Sequence, residues 1–167
     1  MVDIFSEEKR SLVMAAIRSR GNRSTEQVII SIMRASGIRG WRRHIRLTLT
    51  GSNPPVRHGH IRPDFIWHRE RVILFLDGCF WHGCPRHGHV PLTRSQFWSK
   101  KFERNITRDR KVTYRLKRMG WKVIRIWECD LTTKNWPRIT RRIVRALTNA
   151  NSPISTSKTP RAGRRPR

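Results

Sequence analysis

The stretch Arg62–His87, RPDFIWHRERVILFLDGCFWHGCPRH, decides how the chain folds. FIW and VILFL are apolar runs joined by the polar segment His68–Arg71, which together read as a β-hairpin. The expected strands are Arg62–Trp67 and Arg71–Asp77. VILFL is apolar on both faces, so its strand should lie buried in the middle of a sheet. A turn centred between Arg69 and Glu70 sets Asp64 opposite Phe75, with Asp77 two residues further along the same strand. Period-two alternation then puts Asp64 and Asp77 on one face as diagonal neighbours, their backbones about 7–8 Å apart. Carboxylates so placed can converge on one divalent cation, and a one-residue slip would separate them. The competing reading has Asp64 capping a turn after Pro63 and Asp77 opening one before Gly78.

A cysteine and histidine cluster follows the hairpin at once. Cys79, Cys84 and His87 have zinc-type ligand chemistry, and Cys129 could close a tetrahedral Cys₃His site. His89 competes with His87 for the fourth place, and inert buried thiols are the alternative to a metal. Closure through Cys129 requires that residue to lie beside the hairpin end at Asp77. His82 is poorly spaced to share the same ion, which leaves its imidazole as a candidate general acid or base. Phe80 and Trp81 sit in this turn, and Trp98 lies further on; each suits either a wedge between base steps or local packing.

Outward from this centre the helical signals are regular. Residues 6–20 read as a helix with Ser6 as N-cap and acids in its first turn. Residues 25–36 read as a second, with Ser24 and Gln27 spaced as a capping box and Gly37 as the stop. Trp41–Leu49 leans towards strand, and Thr50–Gly59 is a loop by its Gly, Pro and Asn content. Thr93 and Gln96 offer a capping box for a long basic helix from about Ser95 to Met119, closed by Gly120 and long enough to kink near Asn105–Arg108. Trp121–Trp127 is the next strand, and a last helix covers Pro137–Leu147. A strand, a long helix and another strand imply a crossover, hence a parallel pair within a mixed α/β sheet.

Charge identifies the class of partner. The 167 residues carry 37 Lys and Arg against 11 Asp and Glu, a net charge of +26. Such a balance on one domain calls for a polyanion, with nucleic acid as the default. An anionic membrane surface is the alternative, but no clean basic amphipathic helix supports it. The longest apolar run, Val72–Leu76, is too short to span a bilayer, and the N-terminus lacks a signal-peptide pattern. The expected setting is cytoplasmic, where cysteines serve as thiols or metal ligands. Residues 1–150 form the expected domain. Residues 151–167, with five positive charges and no negative ones, form a disordered tail that either adds DNA affinity or is merely solvated.

RPDF, then DGCFWHGC, then FW opening a basic helix, then GWKVIRIWEC, together with RSLVMAAIRSRG and STEQVI near the start, resemble the very short patch repair (Vsr) mismatch endonucleases from about Arg10 to Cys129. The resemblance implies a restriction-endonuclease-like mixed sheet flanked by helices, with a structural zinc. It implies Mg²⁺-dependent nicking of double-stranded DNA on the 5′ side of the mispaired T in a T:G mismatch left by 5-methylcytosine deamination. By the same resemblance Asp64 is the metal-binding aspartate, His82 the catalytic histidine, and Glu26 a glutamate near the metal-bound water. Phe80, Trp81 and Trp98 become wedges beside the mismatch, while Met14, Lys101 and Asn105 contact it. Cys79, Cys84 and Cys129 match zinc positions, with His87 chosen as the fourth. Two positions depart from the pattern: Asp77 stands where it has histidine, and Leu76 where it has a threonine that lends its carbonyl to the metal. Asp77 and the Leu76 carbonyl are therefore further candidate Mg²⁺ ligands. A zinc-stabilised DNA-binding protein without catalysis is the reading from another class. A single mismatch has no two-fold symmetry, which favours a monomer.

Overall fold

A computed structural model describes residues 25–49 and 59–149, so the expected helix at 6–20, Met14, Ser24, most of the 50–59 loop and the tail lie outside the described residues. The first described helix, α1, spans Glu26–Ala35. Then come β1 (Arg42–Arg43), β2 (Leu47–Thr48), β3 (His60–Ile61), β4 (Phe65–Trp67) and β5 (Val72–Asp77). Helix α2 spans Ser95–Arg118, β6 Lys122–Trp127, and α3 Trp136–Thr148, with two short 3₁₀ turns at Glu128–Asp130 and Thr133–Asn135.

The main sheet has the order β1-β4-β5-β6, which makes β5 a central strand as its two-sided apolar run requires. The hairpin register pairs Phe65 with Leu74 and Trp67 with Val72, the register that a turn between Arg69 and Glu70 sets. Arg71 closes that turn in the left-handed region at φ 52°. The crossover through α2 brings β6 back parallel to β5, from Val72 beside Lys122 to Asp77 beside Trp127. The segment expected to be extended at Trp41–Leu49 is instead split: β1 joins the main sheet, β2 pairs with β3 in a separate ribbon, and His44 breaks between them at φ 52°.

Each face of the sheet has its own core. Phe65, Trp67, Val72 and Leu74 pack against Ile29, Ile32 and Met33 of α1 and Ile139 and Ile143 of α3. On the other face Ile66, Ile73 and Trp121 pack against Val112 and Leu116 of α2. Helix α2 ends as expected: Gly120 takes φ +80°, and Trp121 N–H donates to the Leu116 carbonyl at 2.9 Å, the bond of a left-handed helix terminus. It opens at Ser95, as expected, with Arg94 as the N-cap in a left-handed conformation. Among the described residues no helix is long and apolar enough to cross a membrane.

Candidate active site

Three groups of acidic, histidine and cysteine side chains lie around the carboxyl-terminal ends of β5 and β6. Asp64 lies one residue before the last β4 pair, where the chain has left the ladder. Its Oδ2 accepts a hydrogen bond from Leu76 N–H at 2.8 Å. In a strand the N–H and C=O of one residue point to the same side, so the Leu76 carbonyl also faces Asp64. Glu26, 3% exposed, comes in from the first turn of α1 and is held by Arg43 and by His44 Nε2 at 3.1 Å. Glu26, His44 and Asp64 present ligand atoms within 4.8 Å of one another. Burial pushes the Asp64 carboxyl above its ordinary value; the Leu76 N–H opposes this, and the Glu26 charge adds to it. A pocket that disfavours bare charge on a carboxylate favours a cation there.

Asp77 sits in a second group, with His82 and Asp109. The arrangement of both aspartates around one ion, expected from strand alternation, gives way to two clusters. Asp64 is outside the ladder and turns to Leu76 and Glu26, while both Asp77 oxygens are engaged by Arg125, at 2.7 Å to Nε and 2.5 Å to Nη2. His82 Nδ1 lies 2.5 Å from Asp109 Oδ2 and 3.7 Å from Asp77 Oδ1. Burial alone would raise the Asp109 carboxyl, but the His82 bond and the nearby Arg125 and Arg108 charges overcome it and hold it low. Ionised Asp109 on Nδ1 directs the neutral imidazole to carry its proton there, leaving the lone pair on Nε2.

The cysteines converge as their spacing suggested. Cys79, Cys84, His87 and Cys129 offer ligand atoms within 4.8 Å of one another, with His87 in the group. Cys84 Sγ is 3.7 Å from Cys129 Sγ and 3.8 Å from His87 Nδ1. Zn–S bonds of about 2.3 Å at tetrahedral angles give sulfur–sulfur edges of about 3.8 Å, so the donor set fits zinc. Burial raises Cys84, but the backbone bonds of Arg86 and His87 outweigh it and bring the thiol down to about 6. Gly88 closes the loop so tightly that a Cβ there would meet the Cys84 carbonyl oxygen at 2.6 Å.

The aromatics form one cluster at the start of α2. Phe80 lies 5.2 Å from Trp81, 5.1 Å from Trp98 and 5.1 Å from Phe102, ring centre to ring centre. Lys101 places its ammonium 5.3 Å from Trp81, 5.6 Å from Phe97 and 5.5 Å from Trp98. Asn105 Nδ2, one turn on, donates to the Trp81 carbonyl at 2.9 Å.

The family model described as DNA mismatch endonuclease Vsr matches residues 2–87, about half of the chain. The chain belongs to the Vsr family of DNA mismatch endonucleases. It is 36% identical over 134 residues to the type II nicking enzyme V.XorIIP of Xanthomonas oryzae pv. oryzae, covering 79% of this chain and 88% of that protein. It is 35% identical over 136 residues to the DNA mismatch endonuclease Vsr of Escherichia coli K12, covering 78% and 76%. A shorter match, 47% over 68 residues, spans 41% of this chain and 41% of V.NaeI of Lentzea aerocolonigenes.

Several residues of this Vsr-family site escaped sequence reasoning. Asp109 follows Asn105 by four on α2 and so shares its face, a spacing that could have found it. Arg125 is a charge on the side of β6 that carries Trp121 and Val123, an interruption of an apolar face. Arg43 and His44 gave no signal, because their approach to Glu26 depends on the break at His44.

Proposed function

We propose that this Vsr-family endonuclease nicks double-stranded DNA on the 5′ side of the mispaired T in a T:G mismatch, the product of 5-methylcytosine deamination, in a Mg²⁺-dependent reaction. The observation that carries this reading is the meeting, at one sheet end, of an oxygen-rich acidic group with a His–Asp pair. The Asp64 carboxylate and the Leu76 carbonyl are hard oxygen donors of the kind Mg²⁺ takes, with Glu26 beside them to orient water. Bound there, Mg²⁺ supplies charge neutralisation at the phosphate and a lowered pKa for water. His82 Nε2, turned outward by the bond of Nδ1 to Asp109, accepts the proton of the attacking water. The reading adds a restriction-endonuclease-like core and a structural zinc on Cys79, Cys84, His87 and Cys129.

Recognition falls to the aromatic cluster. Phe80, Trp81 and Trp98 stack into the base steps beside the mismatch, where a weak pair lowers the cost of unstacking. Lys101 and Asn105 face the same place, with Met14 as a third contact. The basic side chains of α2 neutralise phosphates along the duplex. One lesion takes one chain, which places the protein as a monomer on cytoplasmic DNA, away from membranes.

The test is incubation of T:G, T:A and C:G duplexes, labelled on either strand, with protein and Mg²⁺. A nick on the T strand only, absent with Asp64→Asn and with a chelator, is the expected result. Tight T:G binding without any nick would instead make the protein a binding module.

A further inference from the structure

We propose that Arg125 is a positioning residue for the nicking reaction, and that Asp77 is its counter-ion rather than a ligand of the catalytic metal. This rests on the roles given above to Asp64 and His82. Asp77 is 3% exposed, and its two oxygens accept separate bonds from one guanidinium, the fork geometry that arginine and carboxylate match best. The same guanidinium is fixed on its other sides. Its Nη2 lies 3.2 Å from Asp109 Oδ2, its Nη1 donates to Thr113 Oγ1 at 3.4 Å, and its centre lies 5.1 Å from the Phe75 ring.

Asp77, His82 and Asp109 have the spacing of a cation site, and the side chain of Arg125 binds both of its carboxylates. For Asp77 to turn to a metal on Asp64 it would have to give up both of its bonds to Arg125, leaving the guanidinium with only Asp109, Thr113 and the Phe75 ring. The chain thus carries a fixed internal cation in this group. Its effect passes to His82 through Asp109. Oδ2 of Asp109 is shared between His82 Nδ1 and Arg125, so the guanidinium keeps that carboxylate ionised and in place. A fixed Asp109 fixes the ring, with Nδ1 as donor and Nε2 free. All three groups line one cavity of about 720 Å³ between α2, β6 and the loop after Cys79.

The experiment compares full-length Arg125→Met, Arg125→Lys, Asp77→Asn and the double variant Asp77→Asn/Arg125→Met with Asp64→Asn. It measures single-turnover nicking of a T:G duplex, DNA affinity, the Mg²⁺ concentration giving half-maximal rate, and the ¹⁵N shifts of His82. Arg125→Met should slow nicking roughly 10- to 100-fold with unchanged DNA affinity, as loss of an orienting partner does. It should also lose the Nδ1-protonated signature of His82, which Arg125→Lys partly restores. Asp77→Asn should leave the Mg²⁺ requirement at its wild-type value. The double variant strands neither charge, so it should nick no more slowly than Arg125→Met, and it carries the test if the single variant fails to fold. A Mg²⁺ requirement raised by Asp77→Asn would make Asp77 a metal ligand and overturn the proposal. So would a wild-type rate with an unaltered His82 signature in Arg125→Met. Normal nicking by Asp64→Asn would instead defeat the underlying reading of the metal site, leaving the His82 signature to decide on Arg125.

Discussion

Asp109 shows how much one residue can contribute here. It is bonded to His82, faces Arg125, and its carboxyl is held below the ordinary value of 3.8. A depressed folded-state value means that the stability is fully present above the unfolded value and is lost as pH falls through the folded one. Asp109→Asn should therefore cost about 1–3 kcal/mol at neutral pH, the penalty for a weakened charge-assisted network. The gap to wild type should narrow below about pH 4, where the wild-type carboxyl also takes up a proton. Urea unfolding of both proteins across that range checks it, and a gap that stays constant would mean the charge is irrelevant. At this scale the sequence was partly legible. Asp64, His82, Cys79 and Cys84 stand out because their residue types are scarce and close together, and Cys129 because it is the one remaining cysteine. The bond of Asp77 to Arg125 was not legible, because the two are 48 residues apart and meet only through the parallel register.

Helix α2 is the element that joins the aromatic cluster to the His82–Asp109 pair. Its 24 residues span about 36 Å. Trp98 and Lys101 lie near its start, Asn105 follows, then Asp109 against His82, and finally Val112 and Leu116 in the core. One rigid rod thus fixes the distance between the aromatic cluster and the His82–Asp109 pair. Trp81→Ala should remove much of the preference for T:G over matched duplex, by about 1–3 kcal/mol for a lost stacking contact, while nonspecific affinity stays within about twofold. Competition binding at fixed salt measures both; equal losses on the two duplexes would make Trp81 a packing residue only. The helix itself was readable from its periodicity and its terminal glycine. Its first residue, Ser95, was readable too; the left-handed conformation of Arg94 just before it is announced by no side-chain pattern.

For the whole molecule, the hairpin, the crossover and the parallel return were legible, since alternation, turn length and connection length leave few topologies. The fates of Trp41–Leu49 and of the two aspartates were not, because both depend on where a strand leaves its ladder. A net charge of +26 on 167 residues sets the cost of compaction high, and Cys79, Cys84, His87 and Cys129 meet where the hairpin end lies beside the far end of β6. Metal analysis should find one zinc per chain. Its removal by a strong chelator should lower the unfolding midpoint by about 10 °C or more, given the free energy such sites contribute. Added Mg²⁺ alone should not restore nicking, and a metal-free protein with an unchanged midpoint would rule out the zinc.

The parallel pairing that sets Asp77 beside Trp127 has one more consequence. Cys79 and Cys129 each stand two residues beyond that pair, so their meeting is possible only in this alignment. Sliding β6 by one residue would carry Cys129 about 3.3 Å along the sheet and open the ring of donors. It would also turn Arg125 to the opposite face, away from Asp77. Convergence of the four donors and the pairing of Arg125 with Asp77 therefore report on the same event during folding. A chain whose strands have zipped in the wrong frame would assemble neither the cysteine–histidine donor set nor the partners that hold His82.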